Sequence, residues 1–337
     1  YSNYTIVIPA LATEIEKKAA YKLQYYLREM SGTKLKVIPE NKPWQSHAIY
    51  VGGCNSAKTL NIDFPALEED GFSLKTQGQD FFICGGKRNG TLFGVYDFLE
   101  QVGFRKYSPD AELIPKKKLL RIPQYNITEI PLFHYRETLM PDASDLDYAE
   151  WHKLHHRSER EKDWGMWVHT FYDLLPPEKS FKEHPEYFSL TNGVRSSKTQ
   201  LCLSNSNVLD LVILRLKDLI SKKPQASHWS ISQNDTYGPC ECSGCENIDY
   251  LYGGVPSGSL IHFVNQIAER FPNKIISTLA YQYSRKAPSG IKPAENVNIV
   301  LCTIELNRSR PIRTDPSSQE FVNDISNWKK LTNNILI

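Results

Sequence analysis

At 337 residues the chain exceeds the roughly 100–200 that one hydrophobic core usually serves, so two domains are expected. Forty basic against thirty-eight acidic side chains leave a formal charge of +2, which excludes the strong one-signed field of a nucleic-acid or anionic-membrane binder. No apolar run approaches the roughly 20 residues that cross a bilayer, so no transmembrane segment is expected. The chain starts at Tyr1 rather than Met, which points to a removed leader segment.

Thr5-Ile6-Val7-Ile8 reads as a strand, and Thr13 with Glu16 forms a capping box. The helix it opens places Ile15, Ala19, Leu23, Tyr26, Leu27 and Met30 on one face and stops at Ser31-Gly32. Residues 34–38 and 48–52 add strands. Residues 70–76 alternate like a half-buried strand, Gln77-Gly78-Gln79-Asp80 turns, and Phe81-Phe82-Ile83-Cys84 completes a hairpin. Gly85-Gly86 and Asn89-Gly90 precede a helix with Leu92, Val95, Tyr96, Leu99 and Val102 inward, closed by Gly103. These glycines match neither the Walker nor the dinucleotide spacing, so a tight strand-to-helix turn is preferred to a phosphate site. Lys116-Lys117-Lys118 is expected to be a solvated turn before a last strand. Residues 1–122 are thus an α+β domain and 123–130 a linker.

From Pro131 strands and helices alternate, which predicts a parallel α/β architecture. Candidate strands are residues 132–136, 165–169, 200–203, 228–233, 274–281, 296–305 and 333–337. One intervening helix starts at Asn207, with Val208, Leu211, Val212, Leu216, Leu219 and Ile220 inward. Another starts at Ser257, with Leu260, Phe263, Val264, Ile267 and Phe271 inward. The strand-like final residues stop abruptly, so 131–337 is expected to be a C-terminally truncated (β/α)8 barrel of the TIM type. An open doubly wound sheet is disfavoured, because no nucleotide fingerprint follows the first strand.

Barrel active sites gather where strands end at the carboxyl face. The residues there are Arg136 and Glu137, His169, Asn234 and Asp235, Tyr281 and Tyr283, and Glu305. Two carboxylates beside an arginine, a histidine and tyrosines suit glycoside cleavage. One carboxyl group protonates the leaving oxygen, while a second, or the substrate's own acetamido group, faces the oxocarbenium ion. Asp235 and Glu305 are the expected catalytic pair; about 5 Å between them would indicate retention and about 6.5–9.5 Å inversion. Bland alternatives stand beside each: Asp235 capping the turn 236–238, Glu305 paired with Arg308 or Arg310, His169 bonded to core backbone. A Ser-His-Asp triad is disfavoured for want of a Gly-x-Ser-x-Gly elbow. The 18 tyrosines and 6 tryptophans fit sugar stacking and core packing equally, so they do not choose between them.

Three of seven cysteines cluster in Cys240-Glu241-Cys242-Ser243-Gly244-Cys245. With a fourth ligand such as Cys202 or His228 they could hold a structural zinc. A Cys242–Cys245 disulfide and buried free thiols are the alternatives. No cofactor is required for the expected chemistry.

The hairpin, glycine turn and helix containing Gly94-Val95-Tyr96-Asp97-Phe98-Leu99-Glu100 resemble the non-catalytic N-terminal domain of glycoside hydrolase families 20, 67 and 84, the hexosaminidases and α-glucuronidases. Pro131-Leu132-Phe133-His134-Tyr135-Arg136 resembles the opening of the family 20 barrel, which implies that Arg136 binds sugar hydroxyls; an ion pair with Glu137 or Asp142 is the alternative. At 234–235 this chain has Asn-Asp where family 20 has Asp-Glu and family 84 paired aspartates, a departure from acetamido assistance. The segments His184-Pro185-Glu186-Tyr187-Phe188-Ser189-Leu190-Thr191-Asn192-Gly193, Leu201-Cys202-Leu203-Ser204-Asn205, Ser232-Gln233-Asn234-Asp235 and the cysteine cluster resemble a glycoside-hydrolase-like group, domain of unknown function 4838, common in gut Bacteroidetes. That resemblance implies a carbohydrate substrate and a periplasmic, cell-surface or secreted location. The expected function is a glycoside hydrolase with Arg136, His169, Asn234, Tyr281 and Tyr283 binding sugar. The alternatives are a carbohydrate-binding protein on a degenerate barrel and a structural or interaction module.

Overall fold

The computed structural model describes residues 4–45 and 47–337. The chain divides into two compact units, Tyr1–Glu159 and Arg160–Ile337.

In the first unit β1 (Tyr4–Ile8) precedes α1 (Glu14–Ser31). The expected capping box is present: Thr13 N–H donates to Glu16 Oε2 (2.8 Å) and Glu16 N–H to Thr13 Oγ1 (3.3 Å). The elements β2 (Val37–Pro39), β3 (His47–Val51), the hairpin β4 (Phe72–Gln77) and β5 (Asp80–Gly85), and α2 (Gly90–Gln101) follow. A second hairpin, β6 (Arg105–Ser108) and β7 (Ala111–Leu113), leads to β8 (Asn126–Glu129) and α3 (Leu146–Trp151). The main sheet runs β2-β1-β3-β5-β4-β8, parallel from β2 to β5 and antiparallel on both sides of β4. Side chains alternate across it. Ile6, Ile49, Phe81 and Ile83 share a core with α1 and α2, whereas Val7, Tyr50, Phe82 and Cys84 pack on the opposite face.

Two expectations change here. The supposed linker contains β8, an edge strand paired to β4, because residues 126–129 complete the ladder that the hairpin leaves open. The lysine run is not only solvated, and no strand follows it directly: Lys116 Nζ donates to Glu29 O (2.7 Å) and Lys117 Nζ to Val102 O (3.0 Å), meeting the carbonyl ends of α1 and α2. The glycine turn is tight as expected. A Cβ on Gly85 would collide with the nitrogen of Thr91, and one on Gly90 with the carbonyl oxygen of Gly71.

Helix α4 (Arg157–Asp163) leads into the second unit. Then come β9 (Trp164–Met166), the short helices α5 (Phe171–Leu174) and α6 (Pro177–Ser180), and a small hairpin, β10 (Leu190–Thr191) with β11 (Val194–Arg195). They are followed by α7 (Ser206–Lys222), β12 (His228–Ser230), α8 (Ser243–Leu251), α9 (Ser257–Ala268), β13 (Ile275–Ala280), β14 (Val297–Leu301), α10 (Gln319–Lys329) and β15 (Ile335–Leu336). Strands β9, β12, β13, β14 and β15 lie side by side in chain order, all parallel. Val208, Val212 and Leu216 of α7 and Phe263, Val264 and Ile267 of α9 share a core with Trp229, Ile276 and Ile299. No helix among the described residues is long and apolar enough to cross a membrane.

Five strands stand where seven were expected, and a complete barrel is not seen among the described residues. Residues 200–203 are not a sheet strand. Strand β9 pairs directly with β12, while Ser189 N–H to Gln200 O and Cys202 N–H to Tyr187 O (both 2.9 Å) tie the segment to residues 187–189 instead.

Residues 132–136 are irregular and belong to the first unit, organised by the buried carboxylate of Asp70. Asp70 Oδ2 meets Arg88 Nη2 and Arg136 Nη2, each at 3.1 Å, and His155 Nε2 at 2.7 Å. His155 Nδ1 accepts the backbone N–H of Arg136 (2.9 Å), which leaves Nε2 as the protonated nitrogen that donates to Asp70. Burial alone would raise Asp70; hydrogen bonds from His155 and Arg88, and the charge of Arg88, outweigh it and hold the carboxyl well below the usual range. Such a group adds stability that is fully present above the ordinary aspartate pKa and is lost as pH falls through the depressed folded value. Asp70→Ala leaves two guanidinium groups facing a buried void and should cost about 3–5 kcal/mol in urea unfolding at neutral pH. The wild-type advantage over this variant should shrink in strongly acidic solution; an equal gap at every pH would contradict the assignment.

Candidate functional site

Parallel strands in one sheet present their carboxyl ends to the same edge, and the residues that follow those ends form the candidate site. After β9 the chain passes to His169, whose backbone is left-handed at φ 58°. Its N–H donates to Ser232 Oγ (2.9 Å), and its ring Nδ1 lies 2.8 Å from Gln233 O. Thr170 Oγ1 reinforces the seam, donating to Ser230 O (2.9 Å) and accepting from Ser232 N–H (3.1 Å). The loop after β12 is thus fastened to the loop after β9.

Gln233 fastens it to the next loop as well. Its buried amide donates to Tyr281 O (3.2 Å) and to Ser284 Oγ (2.6 Å) beyond β13. These bonds bring three side chains together. The rings of His169 and Tyr281 are 5.7 Å apart, and the Tyr281 hydroxyl donates to Asp235 Oδ1 at 2.9 Å. Gln282 Nε2 donates to the same hydroxyl (3.0 Å). Burial and the adjoining Asp235 carboxylate raise the Tyr281 phenol above its ordinary value, so it remains a proton donor to Asp235 at neutral pH. Asp235 itself is exposed at the rim. An exposed carboxylate oriented by a phenol, with an imidazole alongside, can accept hydrogen bonds from sugar hydroxyls or exchange a proton with a leaving group.

The other expected residues take different places. Asn234 is buried with both ends of its amide engaged: Oδ1 accepts from Tyr172 N–H (3.3 Å) and Nδ2 donates to Thr199 O (2.9 Å). It holds loops rather than presenting a hydrogen-bonding edge. Tyr283 meets Tyr237 edge-on with ring centres 6.0 Å apart. Glu305 pairs with Arg285 (3.5 Å), not with Arg308 or Arg310, and Arg285 also holds Glu320 (2.7 Å) and Asp324 (2.6 Å). Asp235 and Glu305 therefore have separate partners. Arg136 is held within the first unit: Nε donates to Lys153 O (2.9 Å), Nη1 to Phe133 O (2.6 Å) and Nη2 to Asp70, not to Glu137 or Asp142.

Cys202, Cys240, Cys242 and Cys245 bring their sulfurs within 4.8 Å of one another. Of the two expected fourth partners the structure selects Cys202, whereas His228 stacks on Trp164 with ring centres 4.9 Å apart.

Gln233, Ser232, Thr170 and Arg285 were not expected. The available signal was Ser230, Ser232, Gln233 and Asn234 at the end of a strand that otherwise reads as core, because buried polar groups in such a place need specific partners. The left-handed backbone at His169 yields a measurable consequence. His169→Ala and His169→Gly both remove the imidazole, but only glycine relieves the φ of 58°. After allowance for its larger unfolded-state entropy, the glycine variant should be the more stable by about 0.5–1 kcal/mol in chemical denaturation. Equal stabilities would show that the loop relaxes.

Residues 3–98 match the family described as glycosyl hydrolase family 67 N-terminus, and residues 106–337 match domain of unknown function DUF4838. A stretch of 51 residues is 37% identical to alpha-glucuronidase A of Aspergillus tubingensis, covering 15% of this chain and 6% of that protein. Among solved structures, a chitobiase of family 20 from Flavobacterium johnsoniae has a TM-score of 0.51 at 10% identity, over 99% of this chain and 55% of that one. A beta-N-acetylhexosaminidase from Bacteroides fragilis has a TM-score of 0.45 at 10% identity, over 89% and 66%. The chain thus spans about half to two thirds of these solved structures and a small fraction of the glucuronidase. The fold is glycoside-hydrolase-like, and with its match over most of the length the chain belongs to the family of domain of unknown function DUF4838.

Proposed function

We propose that this protein is a glycoside hydrolase whose sugar-facing centre is Asp235, Tyr281 and His169. One observation carries this reading: the exposed Asp235 carboxylate is oriented by the Tyr281 hydroxyl at 2.9 Å, on the carboxyl edge of a parallel sheet. The five strands are taken as part of a (β/α)8 barrel. In the proposed cleavage one carboxyl group protonates the leaving oxygen and the other faces the oxocarbenium ion. Glu305, beyond the end of β14 and held less closely by Arg285 than Glu320 or Asp324, is the candidate second carboxylate. Tyr281 and His169 line the sugar, while Gln233 positions both. No cofactor takes part in this chemistry. An exported protein, periplasmic, cell-surface or secreted, fits a glycan substrate, and cell fractionation tests that location.

A second reading has its own support. Asp235 and Glu305 share no partner, which favours a carbohydrate-binding protein on a degenerate barrel. Aryl hexosaminides and aryl glucuronides are the first substrates to try, since a chitobiase and an alpha-glucuronidase are among the similar proteins. If the hydrolase reading holds, Asp235→Asn should lower turnover by roughly 10²–10⁴ without changing the unfolding midpoint. Glu305→Gln should lower it comparably if Glu305 is the second carboxylate, whereas a structural Glu305 would show as lost stability at full rate. Saturable glycan binding by wild type without turnover of any glycan tested would replace the hydrolase by the binding protein.

A further inference from the structure

We propose that Cys202, Cys240, Cys242 and Cys245 hold one zinc ion as a closed tetrathiolate site that clamps the loop carrying Asp235. The site stands on its own geometry and does not depend on the hydrolase reading. Cys202 Sγ lies 3.5 Å from Cys242 Sγ and 4.0 Å from Cys245 Sγ, and all four sulfurs fall within 4.8 Å of one another. A tetrahedral ion with bonds of about 2.3 Å needs sulfur–sulfur edges of about 3.8 Å, between the two short separations. A disulfide joins sulfurs in pairs at about 2.05 Å and gives no reason for four to converge.

The surroundings suit buried thiolates. Leu190 N–H (3.3 Å) and Arg195 Nη1 (3.6 Å) donate to Cys240 Sγ. Ser204 Oγ lies 3.3 Å from Cys245 Sγ and 3.5 Å from Cys242 Sγ. Cys242 stands at the N-terminus of α8, where unpaired N–H groups favour negative charge. A Cβ on Gly244 would come 2.6 Å from Ser204 Oγ, so glycine allows the first turn of α8 to close over that hydroxyl. Four thiolates around Zn²⁺ leave a net double negative charge, and these donors with the Arg195 guanidinium lower the cost of burying it. Cys202, Cys240 and Cys245 are buried and Cys242 is half-buried, so no position stands open to substrate. The closed shell makes the ion structural rather than catalytic.

Its place explains its use. The segment before Cys202 already grips the loop, as Gln200 Nε2 donates to Asn234 O (3.0 Å) and Thr236 O (2.6 Å). Zinc would join that segment, the far end of the Asp235 loop at Cys240, and the first turn of α8. The test uses the full chain purified without chelator, with zinc measured by plasma mass spectrometry and Co²⁺ titrated into metal-stripped protein. Expected are about one zinc per chain and, with cobalt, the intense near-ultraviolet charge transfer and red-region bands of a tetrahedral thiolate. Cys202→Ser should weaken zinc binding by at least the roughly 10–100-fold that losing an outer partner alone costs. Cys302→Ser, outside the cluster, should leave it unchanged. If Cys202→Ser does not fold, the wild-type cobalt spectrum decides. Metal-free protein without those cobalt bands, or an intact mass showing disulfides among these four cysteines, would overturn the site.

Discussion

Parallel pairing in chain order is the constraint on which the second unit depends. Strands β9, β12, β13, β14 and β15 bond side by side with each pointing the same way, so all their carboxyl ends reach one edge. Beyond that edge the ladder stops while backbone groups still require partners. Side chains supply them: Thr170 and Ser232 bond across the β9 and β12 loops, and Gln233 crosses to the loop after β13. Polar residues in this otherwise apolar part of the core therefore follow from strand geometry. The same bonds bring Tyr281 to Asp235 and His169 to Tyr281.

Charge is distributed unevenly around that edge. Asp235 meets the Tyr281 phenol and is otherwise exposed, so its carboxylate remains available for a ligand. Glu305 meets Arg285, which also binds Glu320 and Asp324. The two shorter contacts belong to the other acids, so Glu305 is the member of that cluster most easily withdrawn from it. A like economy governs the first unit, where Asp70 gathers Arg88, Arg136 and His155. Removing either hub would leave like charges facing one another, a larger penalty than losing one exposed ion pair.

The Asp235 loop is bound at both ends by unlike means. Gln200 holds the backbone of Asn234 and Thr236 by amide hydrogen bonds, and Asn234 returns an amide bond to Thr199. At the far end the four sulfurs converge beside the start of α8. Held in this way, the loop can expose a carboxylate without letting it wander, which is the positioning that both binding and catalysis need.

By itself the sequence determined the features that depend on near neighbours. The capping box of α1 lies within four residues, the apolar faces of α7 and α9 repeat every turn, and the β4–β5 hairpin is set by its own turn. The alternation of strands and helices in the second unit was legible for the same reason. Tertiary structure alone decided which strand-like segments find the sheet: residues 200–203 pair locally because β12 already lies against β9. It also decided partners far apart in the chain. Arg136 meets Asp70 across 66 positions, and Cys202 meets Cys242 across 40. Residue spacing fixes which face of a helix or strand a side chain occupies, but which other charge or sulfur meets it depends on how those elements pack in three dimensions.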